Sequence, residues 1–325
     1  MTPALSIVAT LYRSAGTLPA FHARVSAAAA ALSPDYEIVF VNDGSPDDSL
    51  TVALSLQAAD PRVRVVDLSR NFGHHKAMMT GLAHARGARV FLIDSDLEEP
   101  PELLTSFHQV LQAEQADVVY GVQAARRGGW FERLSGWAYF KVFNWISDVP
   151  IPVNVVTVRL MTRRYVDALL QHRERETIIA GLWAITGFRQ VPQTVTKSEN
   201  SGSSYSLGRK IAILVNSVTS FSDRPLIAIF YLGVFIGAMA SLAAAYLVVQ
   251  RTFFGVALPG WPSLIVSVWL LGGLMLASLG IIGIYVSRIF IETKQRPYTI
   301  VRQVYERTGD VAPRDAAADG RALLR

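Results

Sequence analysis

Over the first part of the chain, short apolar runs alternate with longer mixed segments; the last part holds two long runs without charge. Leu5–Leu11 (LSIVATL), Tyr36–Val41 (YEIVFV), Val63–Leu68, Val90–Ile93 and Asp117–Val122 are short and rich in β-formers, and predict buried strands. Between them, the Ala-rich residues 16–32, the segment opening at Pro46-Asp47-Asp48, His74–Arg86 and the segment opening at Pro100-Pro101-Glu102 predict helices. This alternation predicts an α/β fold: a mostly parallel sheet with helices on both faces. Such sheets bind ligands beyond the carboxyl ends of their strands. Asp43 follows the second strand, and Asp94 and Asp96 follow the fourth.

Leu226–Val249 and Thr252–Ser287 carry no charged residue, and Pro259 and Pro262 break the second run. A helix crossing a hydrocarbon core of roughly 30 Å needs about 20 apolar residues, which Leu226–Val249 and Ser263–Ser287 both supply. Buried helices of soluble proteins rarely run that long without charge. The linker Gln250–Pro262 reads as a tight turn between antiparallel spans. Arg209, Lys210 and Arg224 precede the first span; Arg288, Lys294, Arg296 and Arg302 follow the second; the linker carries only Arg251. This asymmetry predicts a multi-pass protein with both termini cytoplasmic. Gly208–Asp223 mixes basic and apolar residues in the manner of an amphipathic helix lying on the membrane. The expected organisation is a cytosolic domain over 1–207, an interfacial amphipathic helix over 208–225, two transmembrane helices within 226–287, and a cytosolic C-terminal tail over 288–325. Ala312–Arg325 reads as disordered, the N-terminus shows no signal peptide, and no internal repeat is visible.

The spans raise the hydrophobic share to 51% and hold the charged share down to 18%. The net charge of +5 is assigned to juxtamembrane Lys and Arg facing anionic lipid, with no nucleic acid as partner. The chain has no cysteine, which excludes disulfide and thiolate chemistry. No Gly-x-Gly-x-x-Gly follows the first strand and no P-loop lysine motif is present, so dinucleotide binding and ATP hydrolysis lose support. Asp94 and Asp96 lie two apart at a strand end, where strand periodicity points both carboxylates the same way. Two convergent carboxylates suit Mg²⁺ or Mn²⁺ held against a diphosphate. Glu174 and Glu176 read first as a solvated helix face and second as acid/base groups. His74 and His75 are adjacent on a helix, point in different directions, and read as helix N-terminal surface or cleft residues.

Several motifs in order then give a resemblance. Val41-Asn42-Asp43-Gly44-Ser45-Pro46-Asp47, Leu68-Ser69-Arg70-Asn71-Phe72-Gly73-His74 and Asp94-Ser95-Asp96-Leu97-Glu98-Glu99-Pro100-Pro101-Glu102 are three of them. Ser147-Asp148-Val149-Pro150-Ile151-Pro152, Arg159-Leu160-Met161, Thr219-Ser220-Phe221-Ser222 and Gly280-Ile281-Ile282-Gly283 follow. From about Leu5 to about Arg302 the chain resembles the family 2 glycosyltransferases of the polyprenyl-phosphate type, the group with bactoprenol glucosyltransferases and dolichyl-phosphate mannose synthase. The resemblance implies a GT-A fold. It also implies inverting transfer of a sugar from a nucleotide-sugar donor, UDP-linked, to a polyprenyl phosphate lipid for surface glycan modification. The setting would be the bacterial cytoplasmic membrane, with a homotetramer as the assembly. Carried over by position, Thr10, Tyr12, Asp43 and Asp94 would bind the nucleotide, and Asp94 and Asp96 the metal.

Two segments depart from the family pattern. The first-strand loop reads Leu11-Tyr12-Arg13-Ser14 where relatives commonly have Tyr-Asn-Glu. Thr157 stands where many relatives carry an Asp proposed as the catalytic base, which leaves Glu174 and Glu176 as fallback bases. The acceptor phosphate has Arg126, Arg127, Arg209 and Lys210 as candidates, each also suited to lipid head groups. Ser203, Ser204 and Tyr205 lie in a polar loop placed to close over the donor. Gly233 and Gly237 form a small-xxx-small pattern, and Gly272 and Gly273 lie in the second span. The alternatives are a processive polysaccharide synthase, which would need more spans and a Gln-x-x-Arg-Trp motif, and a non-catalytic nucleotide-sugar or lipid binding module.

Overall fold

A computed structural model describes residues 2–123, 154–172, 174, 179–196, 222, 224–254 and 260–306. The N-terminal unit is an eight-stranded sheet of order β7-β5-β6-β4-β1-β2-β3-β8. Its strands are β1 (Leu5–Leu11), β2 (Tyr36–Asn42), β3 (Val63–Leu68), β4 (Arg89–Leu92), β5 (Val118–Gln123), β6 (Val155–Thr162), β7 (Gln190–Val195) and β8 (Val301–Tyr305). β1, β2, β3 and β4 run parallel, and β5 pairs parallel with β7. β6 is inserted antiparallel between β4 and β5, and β8 lies antiparallel on β3.

Helices cover both faces. α1 (Leu18–Leu32), α2 (Ser49–Ala59) and α4 (Leu103–Ala113) contribute Phe21, Ala53 and Phe107 to one apolar layer. α3 (His74–His84), α5 (Arg163–Leu169) and α6 (Ile179–Ile185) contribute Met78, Tyr165 and Trp183 to the other. α3 lies so close to the sheet that a Cβ on Gly81 would meet Val8 Cγ1 at 2.4 Å and Val41 Cγ2 at 2.9 Å. That approach seats the later part of α3 directly on β1 and β2.

The apolar pattern predicts β1 to β5 within a residue or two. It predicts no strand over 155–162, 190–195 or 301–305, where β6, β7 and β8 form. The tail read over 288–325 therefore supplies a strand of the sheet. β8 is pinned by side chains as well as by its ladder: Arg302 donates to Asp67 at 3.1 Å and to the Ser69 carbonyl at 2.8 Å. Thr299 and Thr80 share a hydroxyl hydrogen bond of 2.8 Å, and Arg64 and Arg86 each meet Glu306 at 2.9 Å.

The second unit contains α7 (Arg224–Phe254) and α8 (Trp261–Thr293), both long and apolar enough to cross a membrane. Bulky apolar side chains such as Phe230, Leu242, Trp269 and Leu276 stand exposed along them, as a hydrocarbon environment favours. The amphipathic helix read over 208–225 lies outside the described residues except for Ser222, Arg224 and Pro225.

Candidate active site

The carboxyl ends of β1, β2 and β4 bring Thr10, Asp43 and Asp94 to one edge of the sheet, and hydroxyl groups stitch the three loops together. Ser95, buried, donates to the Thr10 carbonyl at 2.8 Å and lies 3.0 Å from Ser14 Oγ. Ser14 N–H donates to Ser49 Oγ at 2.8 Å, and Arg13 N–H to Ser45 Oγ at 2.7 Å. Asp47 receives the Ala15 N–H at 3.2 Å and the hydroxyls of Ser45 and Ser49 at 2.5 and 2.6 Å. Desolvation pushes the Asp47 carboxyl up, but hydrogen bonds from Ser45, Ser49 and the Ala15 and Ser49 amides outweigh it and hold its pKa at about 2. The first-strand loop, with Arg13 at φ +56° and Tyr12 exposed at its tip, is thus a fixed wall.

Asp43 is 2% exposed. Its two oxygens accept the N–H groups of Phe72 at 2.7 Å and Gly73 at 3.0 Å. This carboxylate therefore shapes the turn entering α3, where Gly73 takes φ +99°, and it offers a ligand at most its remaining lone pairs. The close packing of the two loops needs Gly44: at φ +57°, its added Cβ would lie 2.4 Å from the Asn71 amide nitrogen.

The turn sets His74 in the cleft. Its Nδ1 lies 3.0 Å from Thr10 Oγ1, and its Nε2 lies 3.3 Å from Asp94 Oδ1. The second approach is a close ionic-range contact rather than an aligned hydrogen bond. Burial lowers the His74 pKa, against the opposing pull of the Asp43 and Asp96 charges. Sequence reasoning left His74 between surface and cleft, because its two partners come from strands distant in sequence.

Asp94 is half-buried and Asp96 exposed, with Ser95 buried between them. β4 ends at Leu92, so the Asp94-Ser95-Asp96 stretch is a turn and not a strand end. Ser95 faces the first-strand loop, and Asp94 meets His74 in the cleft. Asp96 Oδ1 also accepts the Glu98 N–H at 2.9 Å, with Leu97 at φ +63°. Among the described residues no cluster of three or more His, Asp or Glu side chains could enclose a metal. Two adjacent carboxylates open to the cleft fit a hard divalent cation that takes its other oxygens from water and a bound diphosphate, the usual habit of Mg²⁺.

Thr157 sits half-buried on β6. The β4–β6 ladder ends at the Leu92–Arg159 pair, two residues before Asp94 and two after Thr157. Arg159 itself is 1% exposed, stacks on the Trp183 ring, and donates to the carbonyls of Thr157 and Val156 at 3.1 and 3.3 Å. Burial brings its pKa down to about 9. Its part is to hold the start of β6. Glu174 is half-buried, with Oε1 3.6 Å from His172 Nδ1. Glu176, Arg126, Arg127, Arg209, Lys210, Ser203, Ser204 and Tyr205 lie outside the described residues.

Residues 6–170 match the family model described as glycosyl transferase family 2. A protein of Mycobacterium tuberculosis named among the putative glycosyltransferases is 54% identical over 93% of this chain and 88% of its own length. The prophage bactoprenol glucosyl transferase homolog of Escherichia coli K12 is 32% identical, covering 92% of this chain and 99% of its own. The bactoprenol glucosyl transferase of Shigella phage SfV is 33% identical over 92% and 98%. Among solved structures, mannosyl-3-phosphoglycerate synthase from Rubrobacter xylanophilus aligns with a TM-score of 0.47 at 19% identity, over 67% of this chain and 73% of that one. With a family match from the first strand to the end of α5 and relatives matched along most of their own length, the chain belongs to glycosyl transferase family 2.

Proposed function

We propose that the protein transfers a single sugar from a nucleotide-sugar donor, UDP-linked, to polyprenyl phosphate at the cytoplasmic face of a bacterial membrane, for surface glycan modification. The observation that carries this reading is the extent of the match to bactoprenol glucosyl transferases: it takes in the catalytic unit and both apolar helices. The cleft at the ends of β1, β2 and β4 supports it chemically. Thr10 and Tyr12 line the nucleotide side, and Asp43 contributes through the loop it holds. Asp94 and Asp96 would hold Mg²⁺ or Mn²⁺, which supplies charge neutralisation for the departing diphosphate.

In the reaction, an acceptor phosphate oxygen attacks the anomeric carbon from the face opposite the diphosphate. The carbon–oxygen bond to the diphosphate breaks, its electron pair leaves with the nucleoside diphosphate, and configuration inverts. A phosphate monoester has a second pKa of about 6, so at pH 7 the acceptor is already largely a dianion and needs no proton removed. Thr157 at the family's Asp position fits a reaction driven by positioning and leaving-group stabilisation. Glu174 and Glu176 remain the fallback bases. Arg126, Arg127, Arg209 and Lys210 are proposed to hold the acceptor phosphate, and Ser203, Ser204 and Tyr205 to cover the donor. α7 and α8 are proposed to serve the lipid acceptor rather than to form a transport path, since neither uncharged run holds a charged residue to line one. A homotetramer is the proposed assembly.

Membranes carrying the protein, incubated with a panel of radiolabelled nucleotide sugars and polyprenyl phosphate, test the reading. One label should become organic-soluble. If every label stays aqueous, the chain is a binding module; label in a growing polymer would indicate a processive synthase.

A further inference from the structure

We infer that His74 is the positioning residue that sets Asp94 for its cation; this rests on the cation reading above. Three independent elements converge on this one imidazole. Asp43, at the end of β2, fixes the turn that delivers it through the Phe72 and Gly73 amides, at 2.7 and 3.0 Å. Thr10, at the end of β1, holds Nδ1 at 3.0 Å. Asp94, after β4, lies 3.3 Å from Nε2. With the Thr10 hydroxyl donating to Nδ1, the neutral ring carries its proton on Nε2 and directs it at Asp94 Oδ1. The backbone turn sets where the ring starts, and the Thr10 hydroxyl anchors its Nδ1. The Nε2 contact is close but not aligned, and a small turn of the Asp94 carboxylate would align it. His74 thereby links the nucleotide wall, through Thr10, to the diphosphate end of the cleft. Metal-binding carboxylates are oriented by such partners, whose loss typically weakens metal affinity 10- to 100-fold.

The test uses the full-length protein in detergent, with pyrophosphate supplying the diphosphate oxygens without a nucleoside, and Mn²⁺ binding read by electron paramagnetic resonance. His74→Ala should weaken Mn²⁺ binding about 10- to 100-fold while leaving the melting temperature of the metal-free protein unchanged. His74→Gln, which keeps a donor and an acceptor, should recover part of the loss. Thr10→Val removes the Nδ1 anchor without touching the turn, so it should weaken Mn²⁺ binding too, and adding it to His74→Ala should cost nothing more. Wild-type Mn²⁺ affinity in His74→Ala, or a Thr10→Val loss that adds in full to it, would overturn the assignment. Asp96→Asn separates the two readings: wild-type Mn²⁺ affinity in that variant would sink the cation site itself, whereas loss there with no loss in His74→Ala would sink only the role of His74.

Discussion

Replacing Asp43 with Asn separates two roles for this residue, loop anchor and ligand contact. The side chain keeps its size but loses its charge, and one of its acceptors becomes a donor. Asp43 is 2% exposed and accepts two backbone N–H groups, from Phe72 and Gly73. An asparagine oxygen can serve only one of them, and its NH₂ group then faces the other. A hydrogen bond to a charged group contributes about 1.5–3 kcal/mol, and an unsatisfied buried donor costs about 1–3 kcal/mol. The turn relaxes in part, so a net loss of about 2–3 kcal/mol in local stability is expected, a factor of about 30–150 in the opening equilibrium. Hydrogen exchange on the full-length protein reads this directly. The amides of Phe72 and Gly73 should exchange about 30- to 150-fold faster in the variant, with the β1 and β2 amides unchanged. Wild-type protection of those two amides together with lost nucleotide affinity would refute the anchor and leave Asp43 as a ligand contact alone.

Further substitutions probe the cleft and the frame around it. Asp96→Asn should abolish metal-dependent transfer while Thr157→Ala stays within a few-fold of wild type in steady-state assays; a large Thr157→Ala loss would show that a group at that position is needed. Asp47 is held at about 2 against an ordinary value of 3.8, so its stabilising contribution is complete above about pH 4 and is lost as pH falls toward 2. Because Asp47 is exposed the effect is small, and Asp47→Asn should flatten the acid limb of a pH-dependent melting curve only in that window. Gly81→Ala places a methyl 2.4 Å from Val8 Cγ1 and should destabilise by about 1–3 kcal/mol in urea titration, with Val8→Ala in the same chain recovering part of the loss. Arg302→Ala leaves Asp67, 1% exposed at its side chain, with Asn42 but without its cation; faster exchange along β8 and β3 is expected, and unchanged exchange would show the ladder alone holds the strand.

What the amino-acid pattern reveals here follows from burial. β1 to β4 are covered on both faces, so they read as continuous apolar runs, and the carboxylates after β2 and β4 mark the cleft without any coordinates. β7 and β8 are the two edges of the sheet. Pro192 inside β7, and Arg302 and Gln303 inside β8, are tolerated there because, among the described residues, one side of each strand carries no ladder, and these same residues hide the strands from a pattern search. β6 carries the buried Arg159, whose charge breaks an otherwise apolar run and is accommodated by the Trp183 ring and two carbonyls. The role of Asp43 was illegible for a different reason. A carboxylate at a strand end reads as a ligand group, and only the fold shows it facing the amides of Phe72 and Gly73, thirty residues on.

The proposed reaction transfers one sugar to a lipid phosphate at the Asp94–Asp96 cleft. Purified protein with the preferred labelled nucleotide sugar, polyprenyl phosphate and Mg²⁺ tests it most directly, with the organic-soluble product weighed by mass spectrometry. The account predicts polyprenyl phosphate plus a single sugar from the wild type and none from Asp96→Asn. Free sugar, a multi-sugar product, or an equal yield from Asp96→Asn would contradict it.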